Sequence, residues 1–176
     1  MIIKMKIQLL FIISLIALSC TQISSKIKDS KTENDDFYEK SRKLVLSENQ
    51  VGKEYVFKIN GNDIDEINIK FIGISITKTG DTLKVINSTN YTGVFEDARK
   101  ANSSIYLYNQ KNELLGFYHV GSNYSLPKEV KDSELVFQYD NELCNQTTKI
   151  SLRDSIPDKI FVLCKGKSGD FYQFEH

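Results

Sequence analysis

Three cysteines and two histidines hold most of the nucleophilic and metal-ligating chemistry of this 176-residue chain: Cys20, Cys144, Cys164, His119 and His176. Zinc sites are usually announced by close ligand pairs, and Cys144, Cys164 and His176 are too scattered to form one, so no metal site is predicted. The sequence has no HExxH, no Walker loop, no GxGxxG and no GxSxG, the spacings that mark zincins, phosphate-binding loops, dinucleotide folds and nucleophile elbows. His119 falls in a stretch that reads as a strand, where a half-buried side chain accounts for it. No serine or acid can be assigned to it as a partner. No catalytic residue and no cofactor follow from the sequence.

Two further groupings could bind something. "NDIDE", Asn62 to Glu66, is an acidic turn with the oxygen ligands calcium takes, but it lacks the glycine and spacing of an EF-hand loop. It reads as a solvated turn. The stretch "SIYLYNQKNELLGFYHV" reads as a hairpin. A two-residue turn at Lys111-Asn112 would pair Tyr106 with Phe117, Tyr108 with Leu115, Ile105 with Tyr118 and Leu107 with Gly116. Both faces of that hairpin are then apolar or aromatic, whereas a sandwich buries one face of each sheet in its core. Either a loop such as residues 88–103 covers the second face, or Tyr106, Tyr108 and Phe117 form an exposed binding patch. Tyrosine suits such a patch, because its ring is broad, stiff and amphipathic.

Cys20 is set apart by what precedes it. "MIIKMKIQLLFIISLIALSC" begins with a basic region, Lys4 and Lys6, followed by a twelve-residue stretch, Ile7 to Leu18, interrupted only by Gln8 and Ser14. A bilayer span needs about 20 apolar residues, so this stretch is too short for one. It has the length of a signal-peptide core. Ala17, Leu18 and Ser19 before Cys20 resemble the lipobox of bacterial lipoproteins, although that pattern usually has leucine where Ala17 stands. The resemblance implies cleavage before Cys20, acylation of its thiol and new amino end, and a domain held on a membrane of the bacterial cell envelope outside the cytoplasm. Several acyl chains hold firmly where one binds only marginally. "DTL" at Asp81 and "DSI" at Asp154 resemble the Asp-Ser/Thr-apolar motif that Bacteroidota O-glycosylate on exported proteins.

Cleavage would leave 157 residues, and removing Lys4 and Lys6 leaves 21 basic against 23 acidic side chains. That balance provides no surplus to attract nucleic acid, and three arginines, Arg42, Arg99 and Arg153, offer few phosphate clamps. Outside the cytoplasm the remaining even pair, Cys144 and Cys164, is a disulfide candidate. Closing that loop would stabilise the fold by about 3 kcal/mol on the chain-entropy account.

These groups need a scaffold. Residues 20–36, from Cys20 through "TQISSKIKDSKTENDD", are polar and aperiodic and read as a tether. Residues 37–176 read as one domain. "FYEKSRKLVL" suits a short N-terminal helix with Phe37, Ser41 and Leu44 on one face, though "KLVL" could instead open the sheet. From Lys53 onward the period is two. In "INIKFIGISIT" the apolar positions are odd up to Phe71 and even from Ile72, which predicts a β-bulge at Ile72-Gly73. Residues 88–103 read as irregular, with one helical turn around Phe95 to Ala101. Eight or nine short, evenly spaced strands predict an all-β antiparallel sandwich, Ig-like or jelly-roll-like, with a closed barrel as second choice.

An address joined to a β scaffold without catalytic equipment points to a non-catalytic binding or interaction module, anchored to the membrane through Cys20 and meeting a protein or glycan partner. The alternatives are an immunity or inhibitor lipoprotein directed at a toxin or hydrolase, and an enzyme whose site does not follow a known template.

Overall fold

The computed structural model describes residues 35–58 and 65–176. The signal segment, Cys20, the tether up to residue 34 and residues 59–64, which include Asn62 to Ile64 of the acidic turn, lie outside the described residues. The chain divides into two compact units between Glu39 and Lys40. Of the first, only residues 35–39 are described, and they are helical. The second carries both sheets.

Residues 40–48 are helical as well (α1), so "KLVL" does not open the sheet. Ten strands come after it among the described residues. They are β1 (Glu54–Lys58), β2 (Glu66–Ile76), β3 (Thr82–Thr92), β4 (Lys100–Tyr108), β5 (Leu114–Gly121), β6 (Glu129–Lys131), β7 (Glu134–Gln138), β8 (Thr147–Ser151), β9 (Lys159–Lys165) and β10 (Ser168–Glu175). Seven form one sheet in the order β1-β2-β3-β4-β5-β10-β9, and β6-β7-β8 form a second. All neighbouring strands within the sheets are antiparallel. The two sheets make a β-sandwich and do not close into a barrel.

Alternation along the strands decides what lies between the sheets. Leu83, Val85, Ile105, Leu107, Tyr118, Val120, Ile160, Val162 and Tyr172 of the large sheet pack with Leu135, Phe137 and Leu152 into one core cluster. The opposite face of the large sheet is also buried in part. Ile67, Ile69, Phe71 and Ile86 are fully enclosed. On α1, Ser41, Arg42, Val45 and Leu46 are buried, a stripe with the helical spacing of one and four. The expected helical face was different, for Leu44 is 50% exposed.

The predicted bulge is present. Phe71 pairs with Ile86 and Gly73 with Val85, so Ile72 is the extra residue. Gly73 has φ of +138°, and a Cβ there would press on the Val130 side chain at 3.1 Å. Glycine therefore serves both the bulge and the passage of β6 across it. The apolar swap has another cause than a change of buried face. Ile67, Ile69 and Phe71 face the α1 side, while Ile72 joins the inter-sheet core. Beyond the bulge it is Ser75 that is buried, with Ile74 43% and Ile76 57% exposed.

Residues 88–103 are a second correction. β3 continues to Thr92 and β4 begins at Lys100, leaving only a short connection with a 3-10 turn at Glu96–Ala98. The strand was hidden because its buried side chains, Asn87, Ser88 and Thr89, are polar. Thr89 and Ser103 satisfy each other across the strands at 2.9 Å.

Candidate functional site

The aromatic hairpin keeps most of the expected register. Ile105 pairs with Tyr118, Tyr106 with Phe117 and Leu107 with Gly116, but Tyr108 pairs with Leu114 rather than Leu115. The turn is five residues long, Asn109 to Glu113, not two. The Asn109 side chain organises it, accepting from the Lys111 and Glu113 backbone N–H groups at 2.9 and 3.0 Å. An added residue in β5 then resets the register.

The predicted exposed patch is not what these residues form. Tyr108 is wholly buried. Its hydroxyl accepts from Arg42 Nε at 2.9 Å, and the same guanidinium lies 4.0 Å from the centre of the Tyr106 ring. Tyr106 and Phe117 are half-buried and tilted against each other at 5.3 Å. The cover is α1 and not loop 88–103. An arginine reading two tyrosines across a helix-sheet junction explains why both hairpin faces are aromatic.

Cys144 and Cys164 are joined in a disulfide, with Cα atoms 4.3 Å apart. It pins the loop before β8 to β9, where Asn145 N–H also donates to the Cys164 carbonyl at 3.0 Å. His119 is exposed and its Nδ1 lies 3.3 Å from Ser104 Oγ. His176 Nδ1 lies 3.2 Å from the Leu115 carbonyl oxygen. Of the acidic turn, Asp65 accepts from Gly93 N–H at 3.1 Å and Glu66 pairs with Arg99 at 3.2 Å. Among the described residues no three His, Cys, Asp or Glu side chains cluster to hold a metal ion.

A cleft lies where three loops meet at one end of the sandwich. It has a volume of about 480 Å³ and is lined by Thr77, Asp81, Leu83, Asn109, Lys111 and Asp154 among others. Leu83, Leu115 and Ile156 supply apolar wall, and hydroxyl, amide and charged groups ring it. Binding clefts combine an apolar lining with a few placed polar groups in this way.

Two of the loops are braced by their own side chains, and the third is tied to the first. In the β2–β3 loop Thr77 N–H donates to the Asp81 carbonyl at 2.9 Å, Asp81 N–H donates to Thr77 Oγ1 at 3.0 Å, and Thr79 Oγ1 donates to Asp81 Oδ2 at 2.6 Å. The β4–β5 loop is the one held by Asn109. The β8–β9 segment is tied to the first loop by Lys78 N–H donating to the Arg153 carbonyl at 2.8 Å and by a Lys78–Asp154 ion pair at 2.5 Å. Thr82 and Ser155, the hydroxyl residues of the two Asp-Ser/Thr-apolar motifs, line this same cleft. Nothing in a turn-rich stretch of sequence says which other turn it will face.

A smaller polar cleft of about 210 Å³ lies between Glu54, Asn68, Lys70, Asn87, Thr89 and the segment around Pro127. Asn87 Nδ2 donates to the Pro127 carbonyl at 2.7 Å. Neither cleft is lined by His119.

Three tyrosines have hydroxyls held strongly in the neutral form. Tyr118 donates to the Pro157 carbonyl at 2.5 Å and is raised well above its usual value by burial, then by the Asp158 charge. Burial, followed by the neighbouring Tyr172, pushes Tyr139 up to about 12. Burial raises Tyr172 as well.

No helix among the described residues is long and apolar enough to cross a membrane. No protein-family model matches the chain, and no curated protein or solved structure matches it either.

Proposed function

We propose that the protein is a non-catalytic binding module of the bacterial cell envelope, anchored through a lipidated Cys20, which takes a hydroxyl-rich partner, a glycan, in the loop-end cleft. One observation carries this reading: three loops distant in sequence, two of them internally braced and the third tied to the first, form a cleft with an apolar wall and a rim of amides, hydroxyls and carboxylates. Braced loops bind without the ordering cost that a mobile loop incurs. Sugar rings present apolar C–H faces and hydroxyl edges, which such a wall and rim complement. The lipobox-like "LIALSC" supports the address.

Equilibrium binding to a panel of purified envelope polysaccharides tests the site. Gln110→Ala and Ser155→Ala, both exposed on the rim, are expected to weaken binding about tenfold together with no change in melting temperature. A panel without a binder, or a binder indifferent to both substitutions, refutes it. The anchor is tested separately. Cys20→Ser should move the protein out of the membrane fraction and abolish incorporation of labelled palmitate. Unchanged labelling refutes the anchor alone.

A further inference from the structure

An open sheet edge is normally blunted, because its unpaired N–H and C=O groups invite another strand. β1 lies at the end of the seven-stranded sheet and, among the described residues, pairs only with β2. Its sequence is Glu-Tyr-Val-Phe-Lys. Tyr55 and Phe57 are half-buried, Glu54 and Lys58 are exposed, and Val56 is 53% exposed. Read in reverse, the order of chemical types is the same except that the end charges change sign. From this we infer that β1 is a self-pairing edge: a second copy of the chain adds to it antiparallel about a two-fold axis through Val56, extending one sheet into the other.

In that register Glu54 meets Lys58 of the second copy and Lys58 meets its Glu54. Tyr55 and Phe57 meet Phe57 and Tyr55, and Val56 meets itself. Opposite charges and aromatic pairs directly across an antiparallel ladder stabilise it, and like charges destabilise it. The charges already present continue the pattern. Glu54 stands opposite Lys70, and Lys58 opposite Glu66, which Arg99 pairs at 3.2 Å. Across the junction the signs then alternate from Lys70 through Glu54 to the partner's Lys58 and Glu66.

Other arrangements lose this match. A two-residue slip sets one end charge against valine and leaves neither charge facing an opposite charge of the second copy. Parallel addition sets glutamate on glutamate and lysine on lysine. An edge blunted by charge of one sign would repel its copy in every register, whereas this one selects a single register. A C2 contact of this kind is isologous, the commonest way identical chains associate. Five residues make a small interface, so the association is a weak one.

The test uses the full chain, purified in detergent, with a cysteine reporter. Val56 opposes itself in the inferred pair, within the 4.5–5.5 Å Cβ separation of facing residues. Val56→Cys should therefore form a covalent dimer under mild oxidation, well above the parent chain and above Val94→Cys, which is 76% exposed elsewhere. In that background Glu54→Lys and Lys58→Glu should each lower the dimer about tenfold, since both cross-strand pairs become like-charged. Mixing the two differently tagged chains should restore it as the mixed dimer, in which both pairs are again opposite. The inference is overturned if Val56→Cys crosslinks no better than Val94→Cys, if charge reversal leaves the dimer unchanged, or if the mixture stays monomeric. Should Val56→Cys unfold, sedimentation of the two charge variants and their mixture decides the question without the reporter.

Discussion

The Arg42–Tyr108 hydrogen bond fastens α1 to the large sheet, and its contribution can be measured. Tyr108 is fully buried and Arg42 is 7% exposed. Tyr108→Phe removes only the hydroxyl that accepts from Arg42 Nε at 2.9 Å. A hydrogen bond to a charged group contributes about 1.5–3 kcal/mol to stability, and a buried donor left behind adds to its loss. Arg42→Ala removes the same bond together with the guanidinium stacked 4.0 Å from the Tyr106 ring centre, a contact worth about 0.5–2 kcal/mol. The arginine variant should therefore lose about 2–5 kcal/mol, and Tyr108→Phe about 2 kcal/mol. In the double variant the losses should fall short of additive by about 1.5 kcal/mol or more, because both substitutions destroy one bond. Urea unfolding followed by circular dichroism gives all four stabilities, provided the slopes agree. A coupling below about 0.5 kcal/mol is within what independent sites show and would mean that the bond does not hold α1. A Tyr108→Phe variant that keeps full stability would mean the same.

Replacing both Cys144 and Cys164 by serine should cost about 3 kcal/mol, since their separation of 20 residues closes a loop of that scale; the urea midpoint measures it. Gly116→Ala should cost about 3 kcal/mol or prevent folding, because φ there is +154° and the new Cβ would collide with the Glu175 carbonyl and the Phe174 ring; thermal melting beside Gly52→Ala, which meets nothing within 4 Å, separates collision from backbone strain. Alkaline pH should unfold the domain. Tyr139 is near 12 when folded and near 10 when unfolded. The folded state thus holds its proton more tightly, and that stability is intact below about pH 10 and lost as pH rises through about 12. The last part of the phenolate absorbance, from the shielded Tyr118, Tyr139 and Tyr172, should appear only together with the loss of circular dichroism, and ionisation of all nine tyrosines in a domain that keeps its circular dichroism would contradict it.

The architecture could be read from alternation, because strand period, turn residues and the odd-to-even switch at Ile72 are local signals. Which face each strand buries could not. Ile74 and Ile76 look like core residues until one knows that beyond the bulge it is Ser75 that is buried while they stay exposed. β3 beyond Asn87 escaped notice because its burial is satisfied by hydroxyls and amides rather than aliphatic side chains. Tyr108 looked available for binding, since nothing local reveals that Arg42, 66 residues earlier, will lie on it. The cleft was invisible for a related reason. Thr77, Asn109 and Asp154 are each ordinary turn residues, and only the closing of the sandwich brings them together.

The place of β10 has a consequence for the order of events during folding. The strand latest in the chain is not at a margin. It sits between β5 and β9, hydrogen-bonded to both. The hairpin it forms with β9 is local, but its union with β5 spans about fifty residues of intervening chain, as Phe174 pairs with Tyr118. A nascent chain can assemble β1 to β5 early and then must wait with an open seam until residue 175 arrives. Such high contact order slows the final step. Until it is complete, the inner faces of Tyr118 and Val120 are exposed to wrong partners. Export as an unfolded thread, with folding deferred to the far side of a membrane, would suit a domain whose sheet is completed from the middle.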